Sequence, residues 1–198
     1  MVRLVKICLI GDRKTGKSQL MLNFGKQLFG TYPRFENIEE DLDIYGQSVR
    51  VRVYDAPCDV SSSCVNTIND SNEKSQDEAR RLRMALYPNC DAVVLCASLD
   101  NPVSLENLSK KWLEELRTAR MTRHPLLLAL TKSDLRVDSS ADLIKPEAIS
   151  QNARKLQVTD LFECSAKTGE NVKQTFRRAA ELVVRTDGEK NGKCCAIS

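Results

Sequence analysis

The sequence predicts an α/β fold: a doubly wound, mostly parallel six-stranded sheet with one antiparallel edge strand and helices on both faces. Apolar runs of strand length alternate with segments of helix length, a pattern typical of parallel sheets. A glycine-rich loop joins the first apolar run to the first helix. The 198 residues can bury one large core, so we expect one domain over residues 1–185 and a tail over 186–198.

Apolar runs of four to eight residues predict five of the strands. They are Leu4–Ile10, Val49–Tyr54, Ala92–Ala97, Leu126–Leu130 and Leu161–Cys164. The sixth strand is predicted within Leu42–Asp55, where Tyr45-Gly46-Gln47-Ser48 is short enough to form a hairpin turn. That hairpin places one antiparallel strand at the edge of the sheet.

Local signals predict where the helices begin and end. The first begins at Lys17, and Asn101 and Pro102 occupy the N-cap and N1 positions of a helix that continues to about Arg120. Lys145-Pro146 begins another, and the last is expected from about Asn171 to Arg185.

Two segments lack these periodic signals. Thr186–Lys193 is rich in glycine and charge, so we expect a flexible linker. Asp59–Gln76 is long and polar for a connection in a compact domain and is either functional or disordered; we favour mobility.

The composition excludes several classes of protein. Lys and Arg total 30 and Asp and Glu total 27, so no excess of positive charge indicates nucleic-acid binding. Cys8, Cys96 and Cys164 lie in apolar runs, and neither a signal peptide nor a membrane-spanning stretch is evident, which together favour a reducing cytosol. With no CxxC pair and with His124 as the only histidine, we expect no zinc site.

The segment Gly11–Ser18 fits the phosphate-loop pattern G-x-x-x-x-G-K-[ST] between a strand and a helix. This arrangement directs backbone N–H groups at a polyphosphate, so the expected fold is that of a P-loop NTPase. Lys17 is expected to bind the outer phosphates and Ser18 to ligate Mg²⁺. The residues predicted to bind the phosphates are Gly11, Asp12, Arg13, Lys14, Thr15, Gly16, Lys17, Ser18 and Gln19.

Two further segments, each at the end of a strand, predict that the base is guanine. The Asp134 carboxylate can accept hydrogen bonds from N1–H and the exocyclic amine of guanine, and adenine has no matching pair of donors. The Lys132 side chain can lie along the base, and the Ala166 N–H can face O6. The residues predicted to bind the nucleoside are Thr131, Lys132, Asp134, Leu135, Ser165, Ala166 and Lys167.

With these motifs in place, the chain resembles the small GTPases of the Ras superfamily over roughly Val2–Arg185, and within them the Rho branch. The Rho-like features are Thr131, Asp134-Leu135-Arg136, Ser98-Leu99-Asp100-Asn101-Pro102, Leu105-Glu106-Asn107 and Lys111-Trp112. The chain is divergent, because the Rho insert helix has no room between Arg136 and Pro146, and Ser165-Ala166-Lys167 is closer to the Ras form. The resemblance implies a monomer that binds GTP or GDP with Mg²⁺, protein effectors and exchange factors. It implies effector contacts through Arg34–Asp43 and Asp59–Arg81.

The hydrolytic residues depart from the pattern of that family. Arg13 replaces a glycine beside the γ-phosphate, and Cys58 and Asp59 replace the glycine and the water-orienting glutamine. Pro33 stands where the family has a Mg²⁺-binding threonine. Thr31 could bind Mg²⁺ in its place only if the loop followed a different path.

Asp55 remains as a Mg²⁺ ligand alongside Ser18. We therefore expect no intact catalytic group, and slow or absent hydrolysis. Two alternatives stay open: ordinary turnover despite these replacements, or Arg13 acting as an internal arginine finger.

The last four residues, Cys195-Ala196-Ile197-Ser198, form a C-a-a-X ending that predicts farnesylation of Cys195. A stable anchor needs a second signal, which acylation of Cys194 could supply. These features predict the cytoplasmic face of a membrane, the plasma membrane in particular, together with a cytosolic pool.

Three functions are compatible with these observations. The first is a membrane-anchored, Rho-like signalling protein that binds guanine nucleotide. The second is a nucleotide-locked scaffold that acts through protein contacts only. A phosphate-loop kinase is disfavoured because Asp134 and Ser165–Lys167 select guanine.

Overall fold

The strands form a single sheet in the computed structural model, which describes residues 2–30, 37–58, 72–137 and 142–192. The strands are β1 (Arg3–Ile10), β2 (Asn37–Ile44), β3 (Gln47–Asp55), β4 (Ala92–Ser98), β5 (Leu126–Thr131) and β6 (Asp160–Cys164). Their order in the sheet is β2-β3-β1-β4-β5-β6, with β2 and β3 antiparallel and every other neighbouring pair parallel. The predicted six-stranded α/β fold is confirmed.

The predicted hairpin joins β2 to β3 through a two-residue turn at Tyr45 and Gly46. Both residues have positive φ, 54° at Tyr45 and 78° at Gly46. This is the backbone of a type I′ turn, whose twist matches that of the flanking strands. The Asp43 carboxylate accepts a hydrogen bond from the Gly46 N–H at 3.2 Å, which stabilises the turn.

Helices cover both faces of the sheet. They are α1 (Lys17–Phe24), α2 (Asn72–Leu86), α3 (Pro102–Asn107), a π-helical segment (Leu108–Trp112), α4 (Leu113–Thr118), α5 (Pro146–Leu156) and α6 (Val172–Gly192). The predicted cap of α3 is confirmed, because the Asn101 side chain accepts a hydrogen bond from the Ser104 N–H at 3.4 Å. The single helix expected from Pro102 to about Arg120 is instead three consecutive segments, with the π-helical turn in the middle.

Both polar segments are helical in part, and their expected mobility stays a prediction. The last helix continues past Arg185 to Gly192, where a flexible linker was expected, and Asn72 to Gln76 form the first turn of α2. Neither stretch contains proline, so helical hydrogen bonding extends from the packed part of each helix at little cost. The Thr186 hydroxyl donates to the Leu182 carbonyl at 2.8 Å within this extension. The remainder of the polar segment, residues 59–71, lies outside the described residues.

The core has two layers, one on each face of the sheet, because alternate residues of a strand point to opposite faces. Leu9 belongs to the layer covered by α1 and α6, whereas Ile10 belongs to the layer covered by α3, α4 and α5. Phe24 and Phe176 pack together in the first layer with ring centroids 4.5 Å apart. In the described part of the chain, no helix has the length and apolar character needed to cross a bilayer.

Strand register places the polar residues of the site at one edge of the sheet. Leu9 of β1 is paired with Asp55 of β3, and Ser98 of β4 is paired with Thr131 of β5. The carboxyl ends of the parallel strands therefore meet at the edge where open α/β sheets bind ligands.

Burial predicts a large difference between two otherwise identical substitutions in helices. Leu116 of α4 is fully buried, whereas Leu82 of α2 is 53% exposed. We expect Leu116→Ala to lower the free energy of unfolding by about 2–5 kcal/mol, because it leaves a cavity. We expect Leu82→Ala to change it by less than about 0.5 kcal/mol. Urea denaturation of both variants measures these values, and equal losses would contradict the assignment of the core.

Candidate nucleotide-binding site

A cavity of about 770 Å³ opens at the carboxyl edge of the parallel strands, a volume typical of small-molecule sites. Most of its walls come from residues predicted to bind nucleotide or metal. Those residues are Arg13, Lys14, Gly16, Lys17, Ser18, Gln19, Asp55, Thr131, Lys132, Asp134, Leu135, Ala166 and Lys167. The phosphate loop and the two segments predicted to bind the base thus surround one space.

The phosphate loop depends on glycine at two positions. Gly11 has a φ of 150°, and a Cβ there would lie 2.1 Å from the Cys96 carbonyl oxygen of β4. Gly16 has a φ of 86° at the start of α1. Any side chain at Gly11 would therefore push the loop away from β4.

Lys17 is buried beneath the loop, with 4% of its surface exposed. Its ammonium group donates to the Gly11 carbonyl at 2.9 Å and to the Asp12 carbonyl at 2.7 Å. It also donates to the Cys58 sulfur at 2.8 Å, a contact that the sequence did not predict. These contacts hold a fixed positive charge at the end of the cavity formed by the phosphate loop.

The two predicted metal ligands are in direct contact, because the Ser18 hydroxyl donates to Asp55 Oδ2. Asp55 Oδ1 is the one buried side-chain oxygen or nitrogen in the described part of the chain that has no hydrogen-bond partner. Burial raises the pKa of Asp55, while the Ser18 hydrogen bond and the Lys17 charge oppose that rise. An unpartnered carboxylate oxygen beside a hydroxyl suits a hard divalent cation such as Mg²⁺, so these residues fit the expected metal.

Asp134 and Ser165 connect the two segments that were predicted to bind the base. The Ser165 hydroxyl donates to Asp134 Oδ1 at 2.6 Å, which fixes the orientation of the carboxylate. The Asn23 amide of α1 donates to the Ala166 carbonyl at 3.0 Å and holds that turn against the cavity. Lys132 has a φ of 65° and its ammonium is 2.8 Å from Asp100 Oδ2.

Four of the predicted nucleotide contacts are not among the residues that line the cavity: Gly11, Asp12, Thr15 and Ser165. Thr131 lines the cavity, yet only 3% of its surface is exposed and its hydroxyl donates to the Thr15 and Ala97 carbonyls. Its role is therefore to tie the phosphate loop to β4 and β5. The Asp12 carboxylate accepts hydrogen bonds from α3 and the π-helical segment instead of facing the cavity.

Sequence reasoning missed four residues of the cavity wall, namely Phe29, Ala56, Pro57 and Cys58. Phe29 is 55% exposed and lines the same cavity, and an exposed aromatic face suits stacking on a purine. An exposed aromatic shortly after α1 is the signal that could have identified it. Cys58 was noted only as a replacement in the family pattern, and nothing in the sequence indicates its contact with Lys17.

A buried ion pair supports the wall of the cavity from behind, and it was not predicted. Arg83 is 3% and Glu115 is 7% exposed, and the guanidinium makes two hydrogen bonds of 2.7 Å to the carboxylate. A third guanidinium N–H donates to the Pro57 carbonyl at 2.7 Å. The Tyr87 hydroxyl donates to the same carboxylate at 2.5 Å. Burial alone would raise the pKa of Glu115, but the hydrogen bonds from Arg83 and Tyr87 hold it below its ordinary value.

Only some of the positions at which the hydrolytic residues are replaced lie among the described residues. Arg13 is exposed and lines the cavity next to Lys14. Asp59, Thr31 and Pro33 lie outside the described residues, as do the predicted lipidation sites Cys194 and Cys195.

Known proteins are similar to this chain over nearly its whole length. The sequence pattern of the Ras family matches residues 6–185. Rho-related GTP-binding protein RhoB of Homo sapiens is 30% identical, over 97% of this chain and 96% of RhoB, and RhoB of Mus musculus gives the same values. GTP-binding protein RHO1 of Candida albicans is 30% identical, over 97% of this chain and 95% of that protein.

Two adjacent glutamates should differ sharply in their contribution to stability. Glu115→Ala leaves the Arg83 charge buried without its partner, and we expect the free energy of unfolding to fall by about 3–5 kcal/mol. Glu114→Ala breaks only a surface pair with Arg117, in which the side chains are 62% and 56% exposed, and should cost less than about 1 kcal/mol. Urea denaturation at neutral pH measures both. A Glu115→Ala loss no larger than the Glu114→Ala loss would show that the buried pair does not stabilise the fold.

Proposed function

Since the chain belongs to the Ras family of small GTPases, we propose that it is a Rho-like switch protein that binds GTP and GDP with Mg²⁺ and hydrolyses GTP slowly or not at all. One observation carries the proposal. The phosphate loop, the Ser18–Asp55 pair and Asp134, whose carboxylate Ser165 orients, all meet around the same cavity. Each is suited to a different part of a guanine nucleotide: the phosphates, the metal and the base.

The phosphate end is prepared for a diphosphate or a triphosphate. Lys17 is already held within the loop by the Gly11 and Asp12 carbonyls, so little side-chain entropy is lost when its charge meets a phosphate. Ser18 and Asp55 would hold Mg²⁺, which neutralises phosphate charge when it is bound.

The residues at the end of the cavity proposed to bind the base favour guanine. Ser165 orients Asp134 by donating to one carboxylate oxygen, which favours an edge-on approach to the N1–H and amine of the base. An adenine in the same place would meet the carboxylate with its unprotonated N1, and the lone pairs would repel.

The residues around the γ-phosphate position support slow hydrolysis. Arg13 lines the cavity, and its side chain would fill space beside the γ-phosphate that a water-orienting residue or an arginine finger needs. Asp59, at the position of the family's glutamine, is shorter and negatively charged, so it should repel the γ-phosphate rather than orient water. Two possibilities compete with slow hydrolysis: ordinary turnover, and a catalytic role of Arg13 itself. The single-turnover assay described below tests both.

A second candidate is the nucleotide-locked scaffold, and one observation favours it. The segment after Asp55 is held from both sides, by Lys17 at the Cys58 sulfur and by Arg83 at the Pro57 and Cys58 carbonyls. A segment so constrained is poorly suited to change with the state of the nucleotide. In that case the bound nucleotide stabilises the fold and partners bind regardless of it.

The protein is proposed to act at the cytoplasmic face of the plasma membrane and to exchange with a cytosolic pool. Support comes from the C-terminal Cys195-Ala196-Ile197-Ser198 and from Cys194 as a second lipid site. Protein effectors and exchange factors are the proposed partners, with effectors contacting Arg34–Asp43 and Asp59–Arg81.

Selectivity for guanine tests the proposed function directly. Isothermal titration of nucleotide-free protein should show GDP binding at least about 100-fold more tightly than ADP, because two charge-assisted hydrogen bonds distinguish them. Asp134→Ala should weaken GDP by roughly 10- to 100-fold, the loss expected for such bonds. Asp41→Ala, which removes a surface carboxylate on β2, serves as the matched control. Equal affinity for GDP and ADP in the wild type would refute the proposal.

Slow hydrolysis is tested by single-turnover assays with GTP. Arg13→Gly and Asp59→Gln should each accelerate the reaction by about tenfold or more, which corresponds to about 1.4 kcal/mol of barrier. Arg13→Lys keeps a long cationic side chain in the same place and should not accelerate it. If neither Arg13→Gly nor Asp59→Gln is faster than the wild type, those side chains are not what limits turnover. A wild-type rate typical of efficient hydrolases would instead support ordinary turnover.

A further inference from the structure

The Asp12 side chain is bound outside the phosphate cavity, although its backbone belongs to the phosphate loop. Its Oδ1 accepts a hydrogen bond from the Trp112 indole N–H at 2.8 Å. Its Oδ2 accepts one from the Asn107 amide at 2.6 Å. Each oxygen of the carboxylate therefore has its own donor, and Asp12 is not among the residues that line the cavity.

The direction of this carboxylate matters for an anionic ligand. Asp12 directly follows Gly11, and the carbonyls of both residues contact the Lys17 ammonium. A carboxylate that turned from this position into the cavity would repel a diphosphate and compete with it for Lys17. Two N–H donors on the far side hold the charge away and partly neutralise it.

The π-helical segment explains how one helix supplies both donors. Asn107 and Trp112 are five residues apart, and in an α-helix of 3.6 residues per turn they would point about 140° away from each other. The backbone of Leu108–Trp112 is π-helical, which brings residues five apart toward the same side. Such turns are rare and occur frequently at functional sites.

The indole itself is rigidly held. Trp112 is 1% exposed, and the Arg83 guanidinium carbon and the Lys111 ammonium each lie over the ring, 4.8 Å from its centroid. Arg83 is fixed in turn by Glu115 and by the Pro57 carbonyl. The Trp112 N–H is thus a donor with little freedom to follow Asp12 if that side chain moved.

We propose that Asn107 and Trp112 are positioning residues that hold the Asp12 carboxylate out of the phosphate cavity and thereby slow the release of nucleotide. The inference rests on the proposed function, because it assigns the cavity to a phosphorylated ligand. It adds that retention of the nucleotide depends on two side chains that do not line the cavity.

A double-mutant cycle separates this role from simple packing. Trp112→Phe keeps most of the ring and removes the N–H, and Asn107→Leu keeps the size of a half-buried side chain and removes its donors. Dissociation of a fluorescent GDP analogue, measured in excess Mg²⁺ and unlabelled GDP, should be roughly tenfold faster in each variant, equivalent to about 1.4 kcal/mol. In an Asp12→Ala background, the same substitutions should change the rate by less than about twofold, because the repelling carboxylate is gone.

The outcomes are distinguishable. If Trp112→Phe or Asn107→Leu accelerates release as much in the Asp12→Ala background as in the wild type, the residue acts through packing and the inference is wrong. Unchanged release in both single variants would also overturn it. If Trp112→Phe does not fold, Asn107→Leu alone decides. A wild-type protein that does not bind the GDP analogue refutes the proposed function, and the role in retention with it.

The hydrogen bond between the Trp112 indole N–H and Asp12 can also be observed without nucleotide. The chain contains one tryptophan, so ¹⁵N-labelled protein has a single indole N–H resonance. We expect this proton to exchange slowly in the wild type and to become at least tenfold less protected in Asp12→Ala, because its acceptor is lost. An indole resonance that is unchanged in position and protection by Asp12→Ala would show that the hydrogen bond does not form.

Discussion

The close approach of Gly11 to the backbone of β4 is the contact on which the site depends. A Cβ at this position would overlap the Cys96 carbonyl, so only glycine lets the chain leave β1 and turn immediately over the end of β4. The turn brings the Gly11 and Asp12 carbonyls over Lys17 and starts α1 at the edge of the sheet. The hydroxyl of Ser18 then reaches Asp55 because β3 is the neighbour of β1 in the sheet.

Charge is distributed around this turn in a consistent way. Positive charge faces the cavity through Lys17, while the Asp12 carboxylate is turned away and bound by N–H groups. Behind the wall, the buried Arg83 is matched by Glu115. A buried charge is tolerated only when it is paired, and each of these groups has partners that fix its position as well as its energy. Lys17 and Arg83 also hold the Pro57–Cys58 segment, which a switch protein would need to move.

Much of the fold was predictable, because the signals involved are local. Apolar runs indicated five of the six strands, Tyr45-Gly46-Gln47-Ser48 indicated the hairpin that adds the sixth, and Asn101-Pro102 indicated the start of α3. The ends of the helices were harder to predict from the sequence. Whether α6 stops at Arg185 or continues to Gly192 depends on propagation from a packed helix, and a composition rich in charge and glycine does not reveal this. The cavity itself was predicted in outline, because its residues follow strands that end at one edge.

The sequence by itself determined the fold class and the phosphate loop and predicted which groups would contact a guanine nucleotide, since each depends on residues adjacent in the chain. Only the tertiary structure decided which distant side chains meet: Cys58 with Lys17, Arg83 with Glu115, and Trp112 with Asp12. The last pair depends on a π-helical turn that no sequence pattern predicted. The physical reason is that such contacts arise from the packing of whole elements, whereas hydrophobic periodicity and loop motifs specify only the elements themselves.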